Sequence, residues 1–332
     1  MSGGVDSSVA ASLLVEAGYD VAGVFMRLGA AACQDPTDAR RVAEMLGVDL
    51  FVLDLAGEFE PIIRDFVAEY ARGRTPNPCI HCNARVKFGC LLDRADSLGA
   101  RYVATGHHAR IVNFDGRAAI ARGLAREKDQ SYALFAIGAD ALGRILLPVG
   151  EIDDKRHIRE IARRLGLNVH DKPDSQEICF VPDDYTVLLS ARAPEALRGG
   201  VIVGAAGEVL GRHDGYARFT IGQRRGLVIA AGEPLYVTRI DPDTATVTVG
   251  PRGQTLGTRL TASGANWHRQ VSGALPATVQ VRYNHTGAPA RVSVTGPETF
   301  DVAFDEPVHA ITPGQAAVVY EGNRLLGGGW ID

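Results

Sequence analysis

The sequence predicts an α/β N-terminal domain built on a parallel sheet, followed by two smaller β-rich domains of which the last is a β-barrel. Residues 1 to about 180 alternate short β-rich apolar runs with helical patterns, the texture of strands crossing over through helices. Beyond Gly199 the chain turns to short runs of Val, Thr, Gly and Pro broken by turn signals, which reads as all-β. At 332 residues and 46% hydrophobic it is too long for one ordinary core and too apolar for disorder. We place the domains at 1–182, 183–256 and 257–332.

In order along the chain, Val9 to Val15 is a good helix former with Gly18 as its stop, and Met1-Ser-Gly-Gly-Val-Asp-Ser-Ser8 is a turn that empties onto that helix. Strands are expected over Asp20–Leu28, Asp49–Leu55 and Arg101–Thr105, with helices over Ala39–Leu46 and Glu58–Tyr70 and another beginning near Asn83. In the second half the expected strands are Gly204–Val209, Leu235–Ile240, Thr246–Val249, Thr278–Tyr283 and Ala316–Tyr320, with Asp241-Pro-Asp-Thr244 as a turn. Gly250-Pro-Arg-Gly253 and Leu256-Gly257 mark the boundary before the last domain.

Composition narrows the function classes. No apolar run approaches the roughly 20 residues of a membrane helix, and Met1 leads into a glycine turn instead of a charged and then apolar leader, so the expected place is the cytoplasm, without a membrane. A net charge of -4 gives no global attraction to nucleic acid, and a polyanion must be met by a local patch. Between Arg101 and Lys128 six basic residues face two acids, whereas Asp35 to Glu69 carries nine acids against three arginines. That asymmetry suits a substrate touching one face, and it equally suits plain solvated faces.

The turn carries chemistry. Gly3 and Gly4 allow positive φ and close approach of backbone N–H groups to an anion, Ser2, Ser7 and Ser8 add hydroxyls, and the helix dipole favours negative charge. Without the lysine of a Walker loop, the site fits pyrophosphate release in adenylation better than γ-phosphoryl transfer. A bare Gly-Gly turn with Asp6 or Ser7 as a cap is the plainer reading, but it leaves the full Ser-Gly-Gly-x-Asp-Ser-Ser unexplained.

The five cysteines are sparse and odd in number, which argues for reactive or ligating thiols over a disulfide framework. Cys79 and Cys82 stand three apart near a helix start, with Arg85 and Lys87 close by, an arrangement expected to lower a thiol pKa. Cys179 lies in the polar Lys172-Pro-Asp-Ser-Gln-Glu-Ile-Cys-Phe180, while Cys33 and Cys90 read as core or incidental. Zinc would want four ligands, with only His81 and Cys179 as additions, and a thioredoxin-like pair would not need a nucleotide turn. A [4Fe-4S] cluster held by Cys79, Cys82 and Cys179 is the strongest alternative to a thiol and persulfide route.

Residues Ser2 to Ser8 resemble the adenylating PP-loop superfamily, whose fold is adenine nucleotide alpha hydrolase-like. There the turn follows the first strand of the sheet, so the resemblance implies either a lost strand before Met1 or an edge closed in another way. Taken with Asn77-Pro-Cys-Ile-His-Cys-Asn83, Lys87-Phe88, Ala104-Thr-Gly-His-His-Ala-Arg110, Lys128-Asp-Gln-Ser-Tyr132, Leu147-Pro-Val-Gly150, Asp174-Ser-Gln-Glu-Ile-Cys-Phe180 and Thr220-Ile-Gly-Gln-Arg-Arg-Gly226, the chain resembles the tRNA-specific 2-thiouridylases over its whole length.

The resemblance implies a sulfurtransferase that adenylates the C2 carbonyl of the wobble uridine and replaces its oxygen with sulfur. ATP would sit on Ser2, Gly3, Gly4, Val5, Asp6, Ser7 and Ser8, with Met26 and Gly106 near adenine and ribose, and Mg²⁺ would screen the phosphates. Cys179 would carry the persulfide and Cys82 would resolve it, leaving a disulfide for a reductant. Asn77, Pro78 and Cys79 would meet the target base, and His107, Lys128, Asp129, Gln130, Arg282, Tyr283 and Gln315 the anticodon stem-loop. The expected partners are tRNA and a sulfur-relay or cysteine desulfurase donor protein, the free chain being a monomer. Cys79 stands where a well-known branch of the family has Asp, which favours the cluster alternative. A PP-loop synthetase adenylating a small metabolite would need no thiol pair, and a non-enzymatic RNA-binding protein would need no phosphate turn.

Overall fold

The computed structural model describes residues 1–29, 35–166, 178–181, 184–227, 229 and 232–332, without the side chain of Lys155. Cys33, most of the short Gly29–Asp35 stretch and Lys172 to Glu177 therefore lie outside the described residues. The chain divides into two compact units, one of residues 1–61, 79–182 and 323–326 and one of residues 62–78, 183–322 and 327–332.

The first unit is α/β. Helix α1 (Val5–Glu16) ends as expected, with Gly18 at φ +82° and the Tyr19 N–H reaching back to the Leu14 carbonyl. Strand β1 (Gly23–Arg27) is followed by α2 (Thr37–Leu46) and β2 (Leu50–Asp54), and the two strands pair in parallel, Gly23 with Leu50 through Arg27 with Asp54. α3 (Ala56–Ala71) comes next, and α4 (Pro78–His81) runs directly into a π-helix, Cys82–Cys90, and then α5 (Leu91–Ser97). The helix expected to begin near Asn83 thus begins at Pro78, whose preset φ suits a first helical position. Cys79, not Cys82, occupies the first turn.

β3 (Val103–Ala104) pairs in parallel with a later strand, and between them lies an antiparallel hairpin, β4 (Ala109–Phe114) and β5 (Arg117–Arg122). The strand pattern of the sequence did not predict this hairpin. Its signal is the Asp115-Gly116 pair, both at positive φ (51° and 78°), which matches the right-handed twist of the flanking strands. β6 (Ile145–Leu146) is the parallel partner of β3, and α6 (Lys155–Arg164) packs on α1 through Val5, Val9, Ala10, Ile158, Ile161 and Ala162.

The second unit opens with the end of α3 and continues after α7 (Tyr185–Arg192) as two β arrays. β7 (Gly200–Val203), β8 (Val209–His213), β9 (Tyr236–Asp241) and β10 (Thr246–Gly250) form a sheet in the order β8-β7-β10-β9. The expected strand Gly204–Val209 is instead the connection between β7 and β8, because Gly204 and Gly207 close it with their N–H bonds to the Glu208 and Gly204 carbonyls. Asp241 caps the expected turn by accepting from the Asp243 and Thr244 N–H groups.

The last array is a closed six-strand barrel. β11 (Leu256–Trp267), β12 (Ala274–Gln280), β13 (Ala288–Gly296), β14 (Thr299–His309), β15 (Ala316–Glu321) and β16 (Arg324–Ile331) follow the order β11-β14-β13-β12-β15-β16, and β16 returns to β11 at Ala262 with Ile331. Alternate residues Phe300, Val302 and Phe304 of β14 and Ala290 and Val292 of β13 are buried, as a barrel interior requires.

Candidate active site

The turn before α1 is preorganised by its own hydroxyls. Gly3 sits at φ +74° against α2, where an added Cβ would stand 2.8 Å from that of Asp38. The Ser7 and Ser8 hydroxyls donate to the Gly4 carbonyl at 3.1 and 2.8 Å, the Ser2 N–H donates to the Ser7 hydroxyl, and the Gly4 N–H donates to that of Ser2. The first intrahelical bond is Ser8 N–H to Gly4, so the N–H groups of Val5, Asp6 and Ser7 lie ahead of the ladder, at the positive end of the dipole.

Gly106 closes the floor. A Cβ there would lie 2.5 Å from the Asp6 carbonyl carbon and 2.6 Å from the Ser7 nitrogen, so only glycine lets this strand end meet the helix start. Met26 is on β1 and Gly106 follows β3, which places both near the carboxyl ends of parallel strands, where open α/β sheets bind ligands.

Beside Gly106, the His107 Nδ1 shares a hydrogen with the Thr105 hydroxyl at 2.8 Å, and its ring lies 5.9 Å from that of Phe88. Burial holds the His107 pKa well below 6.5, Lys87 and His108 push it the same way, and Asp6 opposes them. His107 is therefore a neutral imidazole at neutral pH. His108, to which the sequence motifs assigned no role, is buried with its Nε2 3.4 Å from an Asp6 carboxylate oxygen. Its signal was the His-His pair after Gly106.

The residues expected to meet RNA fall into different surroundings. Asp129 accepts from Arg122 Nη1 at 2.9 Å, from the Gly123 and Ser131 N–H groups and from the Ser131 hydroxyl. Gln130 accepts from the His108 N–H, and Lys128 closes the short turn Arg126–Lys128. In the second unit, Arg282 donates to the His309 carbonyl at 2.7 Å, Tyr283 is exposed, and Gln315 donates to the carbonyls of Thr75 and Pro76, just ahead of Asn77 and Pro78.

Of the thiols, Cys79 is exposed, Cys82 is buried on the π-helix, and Cys90 and Cys179 are half-buried. Crowding around the Cys79 sulfur pushes its pKa up and the Lys87 charge pulls it down, so the expected net lowering is absent there. Cys179 sits in a turn closed by Val181 N–H to the Ile178 carbonyl and anchored by Phe180, whose ring meets Phe59 at 5.4 Å. Among the described residues no group of three or more His, Cys, Asp or Glu side chains is arranged to hold a metal. Cys79, Cys82 and Cys179 are thus not gathered as ligands of a single metal ion in this arrangement.

Among the described residues, no helix is long and apolar enough to cross a membrane. Family models match over nearly the whole chain: a tRNA methyl transferase HUP domain at residues 1–183, a tRNA methyl transferase PRC-barrel domain at 188–251 and an aminomethyltransferase beta-barrel domain at 257–331. Curated relatives are similar along all of it. The tRNA-specific 2-thiouridylase MnmA of Syntrophotalea carbinolica is 48% identical, with 100% of this chain and 97% of the relative covered. Those of Carboxydothermus hydrogenoformans and Rhodopirellula baltica are 47% and 45% identical, covering 100% of this chain and 96% and 94% of their own lengths. With the phosphate turn, the thiols and the three successive domain models in one order, the chain belongs to the tRNA-specific 2-thiouridylase family.

Proposed function

We propose that the protein is an ATP-dependent tRNA-uridine 2-sulfurtransferase making 2-thiouridine at the wobble position. The observation that carries this reading is the Ser2–Ser8 turn with Gly106 pressed on its helix start, a cradle for phosphate oxygens.

Uridine O2 is a poor leaving group. ATP on the turn would be attacked at its α-phosphorus by that oxygen, releasing pyrophosphate, so that AMP later departs in its place. Mg²⁺ would accompany the triphosphate, with Asp6 the acid of the turn, since Mg²⁺ commonly binds through one or two carboxylates plus phosphates. Neutral His107 can donate or accept a hydrogen bond beside the turn without adding charge.

The outer sulfur of a Cys179 persulfide, supplied by a donor protein, would bond to the activated C2 as AMP leaves. The Cys82 thiolate would then attack the Cys179 sulfur and break the S–S bond. The electron pair of that bond stays on the departing sulfur as 2-thiouridine, and a Cys82–Cys179 disulfide forms, which an external thiol reduces. Asn77, Pro78 and Cys79 would face the base, while Lys128, Arg282 and Tyr283 supply cationic and stacking contacts to the anticodon stem-loop.

The test is thiolation of unmodified tRNA by Cys179→Ser, read beside ATP-dependent AMP release. The expected result is no 2-thiouridine with AMP release still measurable. Loss of both activities in a folded variant would show that the two steps are not separate.

A further inference from the structure

Asp6 is the one carboxylate of the Ser2–Ser8 turn, and its main chain is fixed from two sides. It lies in the first turn of α1, and Gly106 packs on the Asp6–Ser7 peptide, where an added Cβ would stand 2.5 Å from the Asp6 carbonyl carbon. What is left to be set is the rotamer of the side chain. His108 faces that carboxylate. The residue is 3% exposed, and its Nε2 approaches an Asp6 carboxylate oxygen to 3.4 Å, just short of a formed hydrogen bond. Among the described residues neither ring nitrogen of His108 has a hydrogen-bond partner. Buried polar atoms without partners are costly and uncommon, so this one calls for a use.

The backbone that carries the ring is clamped. The His108 N–H donates to the Gln130 side chain at 2.8 Å, and the Gln130 N–H donates to the His108 carbonyl at 2.8 Å. Gly123 closes on the same carbonyl, since an added Cβ there would lie 2.7 Å from its oxygen. Gly123 is itself held by its N–H on the Asp129 carboxylate at 3.0 Å. A rigid backbone and a closed pocket therefore hold the His108 ring in place, while the Asp6 side chain, 30% exposed, has room to adjust to it.

We infer that His108 is a positioning residue for adenylation: an N–H at its Nε2 holds the Asp6 carboxylate in one rotamer over the phosphate turn, ready for the Mg²⁺ that accompanies ATP. This rests on the proposed use of ATP at that turn. An ionised carboxylate only accepts, so the ring must carry a hydrogen on Nε2, and in that tautomer Nδ1 is left as an acceptor. Hydrogen bonds of this kind are often long without substrate and shorten in the reacting complex. Mg²⁺ demands near-ideal octahedral geometry, so a carboxylate held still is a better ligand than one that wanders among rotamers. Groups that hydrogen-bond a metal ligand are commonly worth about 10- to 100-fold in metal affinity.

The experiment uses the full chain as wild type, His108→Leu, His108→Gln, Asp6→Asn and the double variant Asp6→Asn with His108→Leu. Two quantities are read: the calorimetric dissociation constant of α,β-methylene ATP, which cannot release pyrophosphate, with and without Mg²⁺, and the urea midpoint without nucleotide. For His108→Leu the expected affinity is about 10- to 100-fold weaker with Mg²⁺ and within about twofold of wild type without it. Its urea midpoint should be unchanged or raised, because an apolar side chain replaces a buried polar one that lacks a partner. His108→Gln, which can put an N–H near the place of Nε2, should stay within about threefold of wild type. In the Asp6→Asn background, His108→Leu should change the affinity by less than about twofold, since residues that act through one another do not add. An equal loss in both backgrounds would overturn the proposal. So would a lowered urea midpoint with wild-type binding of the analogue, which would make His108 a packing residue only. Should His108→Leu not fold, the cycle is run with His108→Met under the same expectations. If the wild-type protein binds the analogue with Mg²⁺ and forms no 2-thiouridine, the functional reading fails while the cycle still judges His108.

Discussion

The backbone N–H of His108 donates to the side chain of Gln130 at 2.8 Å, and the backbone N–H of Gln130 donates back to the His108 carbonyl at 2.8 Å. This reciprocal pair ties the Lys128–Ser131 loop to the segment after Gly106. Gln130→Ala should therefore lower stability by about 1 kcal/mol through one lost hydrogen bond, measured by urea unfolding, whatever it does to tRNA affinity. An unchanged midpoint would mean that the loop is held by other contacts.

Asp129 should matter more. Its carboxylate is almost fully buried and faces Arg122 at 2.9 Å while accepting from two backbone N–H groups and a hydroxyl. Asp129→Ala should cost about 3 kcal/mol, since it removes one partner of a buried pair. A loss below about 1 kcal/mol in the same assay would place the pair among weak surface bridges.

Gly106→Ala should act on catalysis. Its methyl group would have to displace the Asp6–Ser7 peptide, which an added Cβ approaches to 2.5 Å. We expect ATP-dependent AMP release to fall about 100-fold, because a shift of about 1 Å in the phosphate cradle is felt at that scale. Wild-type AMP release from the variant would argue that the phosphates bind elsewhere.

The acid limb of stability should carry His107. Its folded-state pKa lies well below the ordinary 6.5, chiefly from burial and next from the Lys87 charge, so the unfolded chain takes up a proton first as pH falls. Stability is then fully present above pH 6.5 and declines below it, until the folded-state pKa is reached. Burial lowers the pKa of His213 and His309 too, so the comparison must be with His107→Gln, whose melting temperature should fall less between about pH 7 and 5. Parallel curves for the two proteins would sink this assignment.

Lys87 should also be readable at Cys79. Because Lys87 pulls the Cys79 pKa down against the effect of its crowded setting, Lys87→Met should slow iodoacetamide alkylation of Cys79 near about pH 8, followed by peptide mass spectrometry. An equal or faster rate would show that the charge does not reach the sulfur.

Local chemistry determined what could be read in advance. The glycine pair before a helix-forming run, the Gly18 stop, the alternation of apolar runs and helical patterns, and the Asp241 turn each follow from residues close in the chain, and each is present in the structure. What the sequence left open depended on groups far apart. The burial that neutralises His107 and the grip of Gln315 on Thr75 arise only when distant segments share one dielectric and one set of hydrogen bonds. Gln315 and Thr75 stand 240 positions apart, and nothing in either's neighbours announces the other. Residue types and spacing therefore determined the family. Tertiary packing decided which polar groups already have partners and which remain to meet a substrate, because a hydrogen bond is set by distance and direction, which a linear pattern does not encode.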